Sequence, residues 1–269
     1  MRRRSPTTSS STTVAEMGSL GRGLDILRSL GTHGPVLTVA ELAAQPGNTV
    51  RLTAERLLHT LASEGFLRLL PDRAEEGAYE SDLACLTLGT ALLGSFPELW
   101  QRQPVLQEIA RRFGVDLLVA TCDGPQALVM EHASSSPMYQ PSLVGSVAPL
   151  ESNAWGRCLM WMHPAAEQAT LTDGIRRRLG ARAATSLGVL YQAFQGLEQT
   201  GRCVFDLDEN RLGIGMPVAP AAGAPLLAIG CVAPRALFND AETADALWAQ
   251  LASLARLIGR PGREPGTVA

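Results

Sequence analysis

The chain has 269 residues, 46% of them hydrophobic, which is material for one large core or two smaller ones and excludes disorder of the whole. All 23 basic residues are arginine and the net charge is −3, so the chain is no basic nucleic-acid sponge; any DNA contact must come from a local surface. No segment reaches the ~18 continuous apolar residues of a membrane span, and Cys85, Cys122, Cys158, Cys203 and Cys231 form no C-x-x-C pair, which fits reduced thiols in a cytosolic protein.

Residues 1–17 begin Met1-Arg2-Arg3-Arg4 and run into Ser, Pro and Thr. They lack the apolar core of a secretory signal and are expected to be a disordered tail. From Ser19 onward Leu20, Leu24, Leu27 and Leu30, with Ile26 beside them, predict a helix packed on that leucine stripe. It should stop at Gly31 and at Gly34-Pro35. Thr38-Val39-Ala40-Glu41 is a capping box: the hydroxyl takes an orphan N–H while the carboxylate reaches back. The short helix it opens should end at Pro46-Gly47.

A third helix is predicted from Thr49 to Glu64, with Asn48 as N-cap and Gly65 as the stop. Ala54, Leu57, Leu58 and Leu61 form its apolar face. The opposite face carries Thr49, Leu52, Thr53, Arg56, His59 and Ser63, with Glu55 at the edge. Phe66–Leu70, a polar turn from Pro71 to Gly77 and Ala78-Tyr79-Glu80 read as a two-stranded hairpin.

Three short helices and a hairpin are the outline of a winged helix-turn-helix. A helix fits the major groove, where outward side chains meet base edges. Arg56 suits a bidentate pair with guanine or a phosphate, and the outward Leu52 suits a thymine methyl. Arg22 and Arg51 suit phosphates that set register. In the wing Arg73 stands alone against Asp72, Glu75 and Glu76, so the third helix is expected to dominate. A small helical domain for protein contact would share this outline.

Further along, 86–93 and 104–113 are predicted helical, the first as a link between domains. Val115–Ala120 and Ala127–Met130 flank Asp123-Gly124-Pro125, a hairpin signal. Asn153–Met162 and Ser186–Gln199 read as helices and Pro225–Ala233 as a strand. Asn239-Asp240-Ala241-Glu242 reads as a second capping box, opening a helix that buries Leu247, Trp248, Leu251, Leu254 and Ile258. The expected division is a tail (1–17), a DNA-binding domain (18–82), a linker helix (83–100), an α/β or α+β domain (101–259) and a flexible end (260–269).

Enzymatic readings are weak. Gly213-Ile214-Gly215 has no further glycine at the spacing a nucleotide loop needs. His33, His59, His132 and His163 fall at no metal-ligand spacing, and there is no G-x-S-x-G elbow. Cys122 near Asp123 and His132 invites a nucleophile dyad that spacing alone cannot establish. Neither cofactor nor metal is expected.

Ser19–Leu27, Glu41-Leu42-Ala43, Gly47 and Arg56–Leu61 closing at Gly65 resemble, in order, the opening signature of the IclR family of bacterial regulators. Gly145, Pro149-Leu150 and Ala154–Leu159 are similar to that family's effector-domain signature, and Asp206–Val218 to its next block. The resemblance runs from about residue 18 to 259. It implies a winged helix-turn-helix, a linker helix and a GAF-like effector domain. It also implies dimers or dimers of dimers on partly palindromic double-stranded DNA, controlled by a small molecule. The stretch from Gly47 to Thr53 is one residue longer than the family's usual turn.

Carried over from the family, the effector pocket would be lined by Ala154, Trp155, Asp206, Met216, Gly230 and Val232. Trp155 stands where a small residue is usual, and Gly230 and Val232 where serines would grip a carboxylate. A small anion would then keep unpaired oxygens, so the expected effector is larger or more apolar than a simple oxo-acid. Alternatively Trp155 fills the cavity. The expectation is a transcriptional regulator, a repressor by preference; the alternatives are a sensor or scaffold that no longer binds DNA and, behind it, a small-molecule enzyme.

Overall fold

The computed structural model describes residues 18–33, 35–44, 50–94, 97–136, 143–219 and 224–259. The expectations for both tails, for Asn48 and Thr49 and for the Pro46-Gly47 stop lie outside these. The chain divides between Gly89 and Thr90 into two packing units.

In the first unit the order is α1 (Gly18–His33), β1 (Val36–Thr38), α2 (Val39–Ala44), α3 (Arg51–Ser63), β2 (Leu67–Leu69), a 3-10 turn (Pro71–Glu76) and β3 (Ala78–Ser81). The capping box is formed: Thr38 N and Oγ1 both donate to Glu41 Oε2 at 2.8 Å, and Glu41 N donates to Thr38 Oγ1 at 3.2 Å. Ile26, Leu30, Leu42, Ala54, Leu58 and Leu67 close the core.

The leucine stripe of α1 packs differently from expectation. Ile26 and Leu30 are buried, but Leu20 and Leu24 remain exposed. At ~100° per residue the apolar residues of α1 spread over about 160° of the helix, and the core covers only one edge of that arc. The hairpin also has a third strand, because β1 pairs with β3 as β3 pairs with β2, all antiparallel. No side chain caps α3, whose N-cap is Val50.

Helix α4 (Leu83–Gly94) crosses the division. The second unit holds α5 (Pro97–Phe113), β4 (Asp116–Asp123), β5 (Gln126–Ala133), β6 (Val147–Pro149), α6 (Ala154–Met162), α7 (Ala165–Leu179), α8 (Ala183–Thr200), β7 (Cys203–Asp206), β8 (Arg211–Val218), β9 (Leu227–Pro234) and α9 (Ala241–Ile258). The strands form one antiparallel sheet in the order β6-β5-β4-β9-β8-β7. Side chains alternate between its faces. Leu117, Val119, Ile214 and Ile229 meet α5 and α9; Leu118, Ala120 and Ala228 meet α6 and α8.

Helix α5 starts before the expected Pro104, which lies inside it. The cap of α9 is Asp240, one residue later than the box read from sequence, accepting from Thr243 N at 3.2 Å. Trp248 is only partly buried, its ring covered by the Arg202 guanidinium at 3.9 Å.

What places α6 against the sheet is a cross-strand pair of glycines, Gly215 opposite Gly230. A Cβ at Gly215 would lie 2.3 Å from the Ala154 carbonyl oxygen, and one at Gly230 would lie 2.7 Å from the Trp155 ring. Only a strand without side chains at these two points admits the helix so closely.

Candidate functional site

Helix α3 buries Ala54 and Leu58, which turns Leu52, Arg56, His59 and Ser63 outward as a group. Leu52 is 64% exposed, and Arg56 and His59 are exposed too. The His59 carbonyl accepts from Ser63 Oγ at 2.9 Å. Arg51 lies at the start of α3 and is tied to Glu55, Nε to Oε1 at 3.1 Å. Thr53 is half-buried and, with Arg56, borders a groove of about 640 Å³ between α1 and α3 lined by Leu20, Leu24, Leu27, Leu57 and Leu61. Arg22 is exposed on α1.

In the wing, Arg73 Nη2 lies 2.6 Å from Glu76 Oε2, and the charges of Glu41 and Asp72 also hold its proton. Its cation is therefore already compensated, whereas Arg56 has no ion pair among the described residues. The structure thus brings Leu52, Arg56 and His59 onto one open face and leaves Arg73 to its acidic neighbours.

In the second unit, Ala154 and Trp155 form the first turn of α6, capped by Asn153, whose Oδ1 accepts from Gly156 N at 2.6 Å. Ala154 and Gly230 are buried; Trp155 and Val232 are half-buried. The indole lies over the bare backbone at Gly230, beside Leu118. Val232, two residues along β9 from Gly230, shares its face. Asp206 ends β7, exposed and ion-paired with Arg235. Met216 does not join this group: Gly215 faces α6, so its neighbour packs on the opposite side, against the core under α5 and α9. Four of the six expected pocket residues thus come together, and the indole occupies the space the absent side chain of Gly230 leaves.

The suspected dyad of Cys122 with His132 is not formed, because they occupy opposite ends of the β4–β5 hairpin, Cys122 opposite Ala127 and His132 opposite Leu118. The neighbour of Cys122 is His163, its Nε2 at 3.3 Å from Sγ, and His163 Nδ1 lies 2.6 Å from Glu167 Oε2. Sequence reading missed this contact, which joins residues 41 apart; only the spacing His163-x-x-x-Glu167 is local. No cluster of His, Cys, Asp and Glu suited to a metal occurs among the described residues, and no described helix is long and apolar enough to cross a membrane.

Two family models match the chain. That of the IclR helix-turn-helix domain covers residues 19–71, and that of the bacterial transcriptional regulator IclR C-terminal domain covers residues 98–260. The acetate operon repressor of Salmonella typhimurium is 24% identical over 218 residues, 80% of this chain and 77% of its own. The transcriptional repressor IclR of Escherichia coli is 23% identical over 220 residues, with the same shares covered. Among solved structures, an IclR family transcriptional regulator from Brucella abortus superposes with a TM-score of 0.78 at 22% identity, covering 94% of this chain and 95% of that one.

Proposed function

The chain belongs to the IclR family of bacterial transcriptional regulators, a family of DNA-binding proteins and not of enzymes, and from that premise we propose that it represses its target genes by reading an operator with the outer face of α3. The observation that carries this reading is the exposure of Leu52, Arg56 and His59 on one side of a helix whose other side closes the core. Arg56 is the base-reading cation; Thr49, Arg51, Thr53 and Arg22 hold phosphates around it. The relatives from Salmonella typhimurium and Escherichia coli are repressors. The wing contributes little, since Asp72, Glu75 and Glu76 repel phosphates and Arg73 is already paired.

The second unit takes a small-molecule effector at the first turn of α6, against Trp155, Ala154, Gly230 and Val232. A site floored by an indole and a bare glycine lacks the hydroxyl donors a small oxo-acid needs, so the effector is larger and more apolar. An IclR homolog from Microbacterium hydrocarbonoxydans, TM-score 0.66, was solved with 4-hydroxybenzoate, a ligand of that size. Effector binding changes the geometry of a homodimer through residues 86–100 and so the spacing of two α3 helices on a partly palindromic site. Acting on chromosomal DNA, the protein works in the cytoplasm.

Footprinting of the full-length protein across its genome tests the DNA reading: discrete protected sites are expected, and Arg56→Ala should weaken protection at them. Retention of every site by that variant overturns the assigned face. Calorimetry with 4-hydroxybenzoate and with pyruvate as probes tests the pocket. Tight binding of pyruvate would defeat the apolar-effector reading.

A further inference from the structure

Strand β4 ends beside the C-terminus of α6, and there three side chains from three elements meet in line. Cys122 contributes Sγ, His163 the imidazole and Glu167, in the first turn of α7, the carboxylate. The imidazole is held at both nitrogens, Nε2 3.3 Å from Sγ and Nδ1 2.6 Å from Oε2. Its backbone is fixed as well. His163 N donates to Met160 O at 3.3 Å, and His163 O accepts from Gln168 Nε2 at 2.9 Å. A carboxylate on Nδ1 selects the tautomer with its proton there. The Nε2 lone pair is then free to face the thiol. Nucleophile, base and orienting group in this order form a general arrangement for activating a weak nucleophile.

We propose that Cys122 is a covalent modification site, a thiol deprotonated by His163 and aligned through Glu167, that adds to electrophiles of the α,β-unsaturated carbonyl class. In the step, Sγ gives its proton to His163 Nε2 and forms a bond to the β-carbon of the electrophile. The π pair of the C=C bond moves to the α-carbon, which takes the proton back from the imidazolium. No leaving group departs and the product is a thioether, so the reaction is stoichiometric. It is sensing chemistry, not turnover, and consistent with a family of regulators.

The surroundings of the thiol oppose its spontaneous ionisation, so reaction depends on His163 taking the proton. Burial, and the charge of Glu167, push the Cys122 thiol up to about 11, so at neutral pH it rests protonated. A thiol of that basicity is a strong nucleophile once the proton leaves. Cys122 is half-buried, whereas Cys158, Cys203 and Cys231 are buried. Cys85 is half-buried too, but its Sγ faces the Phe66 carbonyl oxygen at 3.3 Å; it provides an internal control.

The full-length protein is treated with limiting N-ethylmaleimide, and occupancy of each cysteine is followed in time by peptide mass spectrometry. Cys122 is expected to react at least about tenfold faster than Cys85, within the range of general-base assistance. His163→Gln should remove that advantage and leave the Cys85 rate unchanged. Glu167→Ala should slow Cys122 several-fold and Glu167→Asp should recover part of the loss, as expected of a positioning residue. Equal rates for Cys122 and Cys85 in the unmodified protein overturn the proposal. So does an undiminished Cys122 rate in His163→Gln.

Discussion

Among the cations near the candidate DNA face, ion pairing separates Arg56, proposed to read a base, from those whose charge is already shared. Arg51 is shared with Glu55 and Arg73 with Glu76, so part of what either gains on a phosphate is spent releasing its partner. Arg56 has no such competitor among the described residues. Replacing it with alanine should cost about 1–3 kcal/mol of operator affinity and relax specificity at one base position. Arg73→Ala should change affinity less than threefold, within the range of a cation that phosphates do not use. Fluorescence anisotropy on a footprinted operator measures both. Similar losses for the two variants would place the wing on the DNA beside α3. At the proposed effector site the matching residue is Trp155. Its ring rests on the backbone of Gly230, so Trp155→Ala should open a cavity, lower the melting temperature and weaken an aromatic ligand by about tenfold or more, the cost of lost apolar contact. Tighter binding on truncation would mean that the indole plugs the pocket.

The elements fixed by local chemistry are the ones the sequence announces, and the capping box shows why. Thr38 and Glu41 are three residues apart, and their hydrogen bonds need nothing from the rest of the chain. Donation from Thr38 N, then from its hydroxyl, holds the Glu41 carboxyl below the usual carboxylate range. A depressed folded-state value means stability present above the unfolded value of about 4.5 and lost as pH falls through the folded one. Glu41→Gln, which keeps the reach but not the charge, should therefore destabilise slightly at pH 7 and progressively less toward pH 3, followed by urea unfolding. A difference independent of pH would show that the carboxylate charge is not what the cap uses. The hairpin at Gly124 and the helix after Asn153 were legible for the same local reason. What was not legible depends on distant partners. Strand β1 is three residues long and exists only because β3 lies alongside it. The α1 stripe was too wide to reveal which edge would be covered. Met216 was grouped with residues of the other sheet face because a signature lists neighbours in sequence, whereas a strand sends neighbours to opposite sides. His163 reaches Cys122 across 41 residues, a separation no spacing rule captures.

At the scale of the whole molecule the telling feature is apolar surface that a lone chain leaves wet. Helix α4 carries no charged residue from Leu83 to Gly94. Leu83, Leu86, Leu88 and Leu92 are 76%, 65%, 60% and 52% exposed on it. Leu20 and Leu24 add to this on α1, beside the groove against α3. Leu88 and Leu92 lie on the side of α4 opposite Leu83 and Leu86, and a helix that is apolar all round is normally covered. The occupant that fits the partly palindromic operator proposed above is a second copy of the chain, since a two-fold dimer would present two α3 helices to half-sites about 34 Å apart. Leu88→Glu with Leu92→Glu should shift the protein to monomer in sedimentation equilibrium. It should also weaken operator binding by well over tenfold, because each half-site then binds without the other. Binding to an isolated half-site should change little, as neither leucine lies on the reading face. If the paired variant stays dimeric yet loses DNA, the leucines of α4 serve transmission along the linker, not association. Sedimentation and half-site affinity, measured on the same preparation, separate the two.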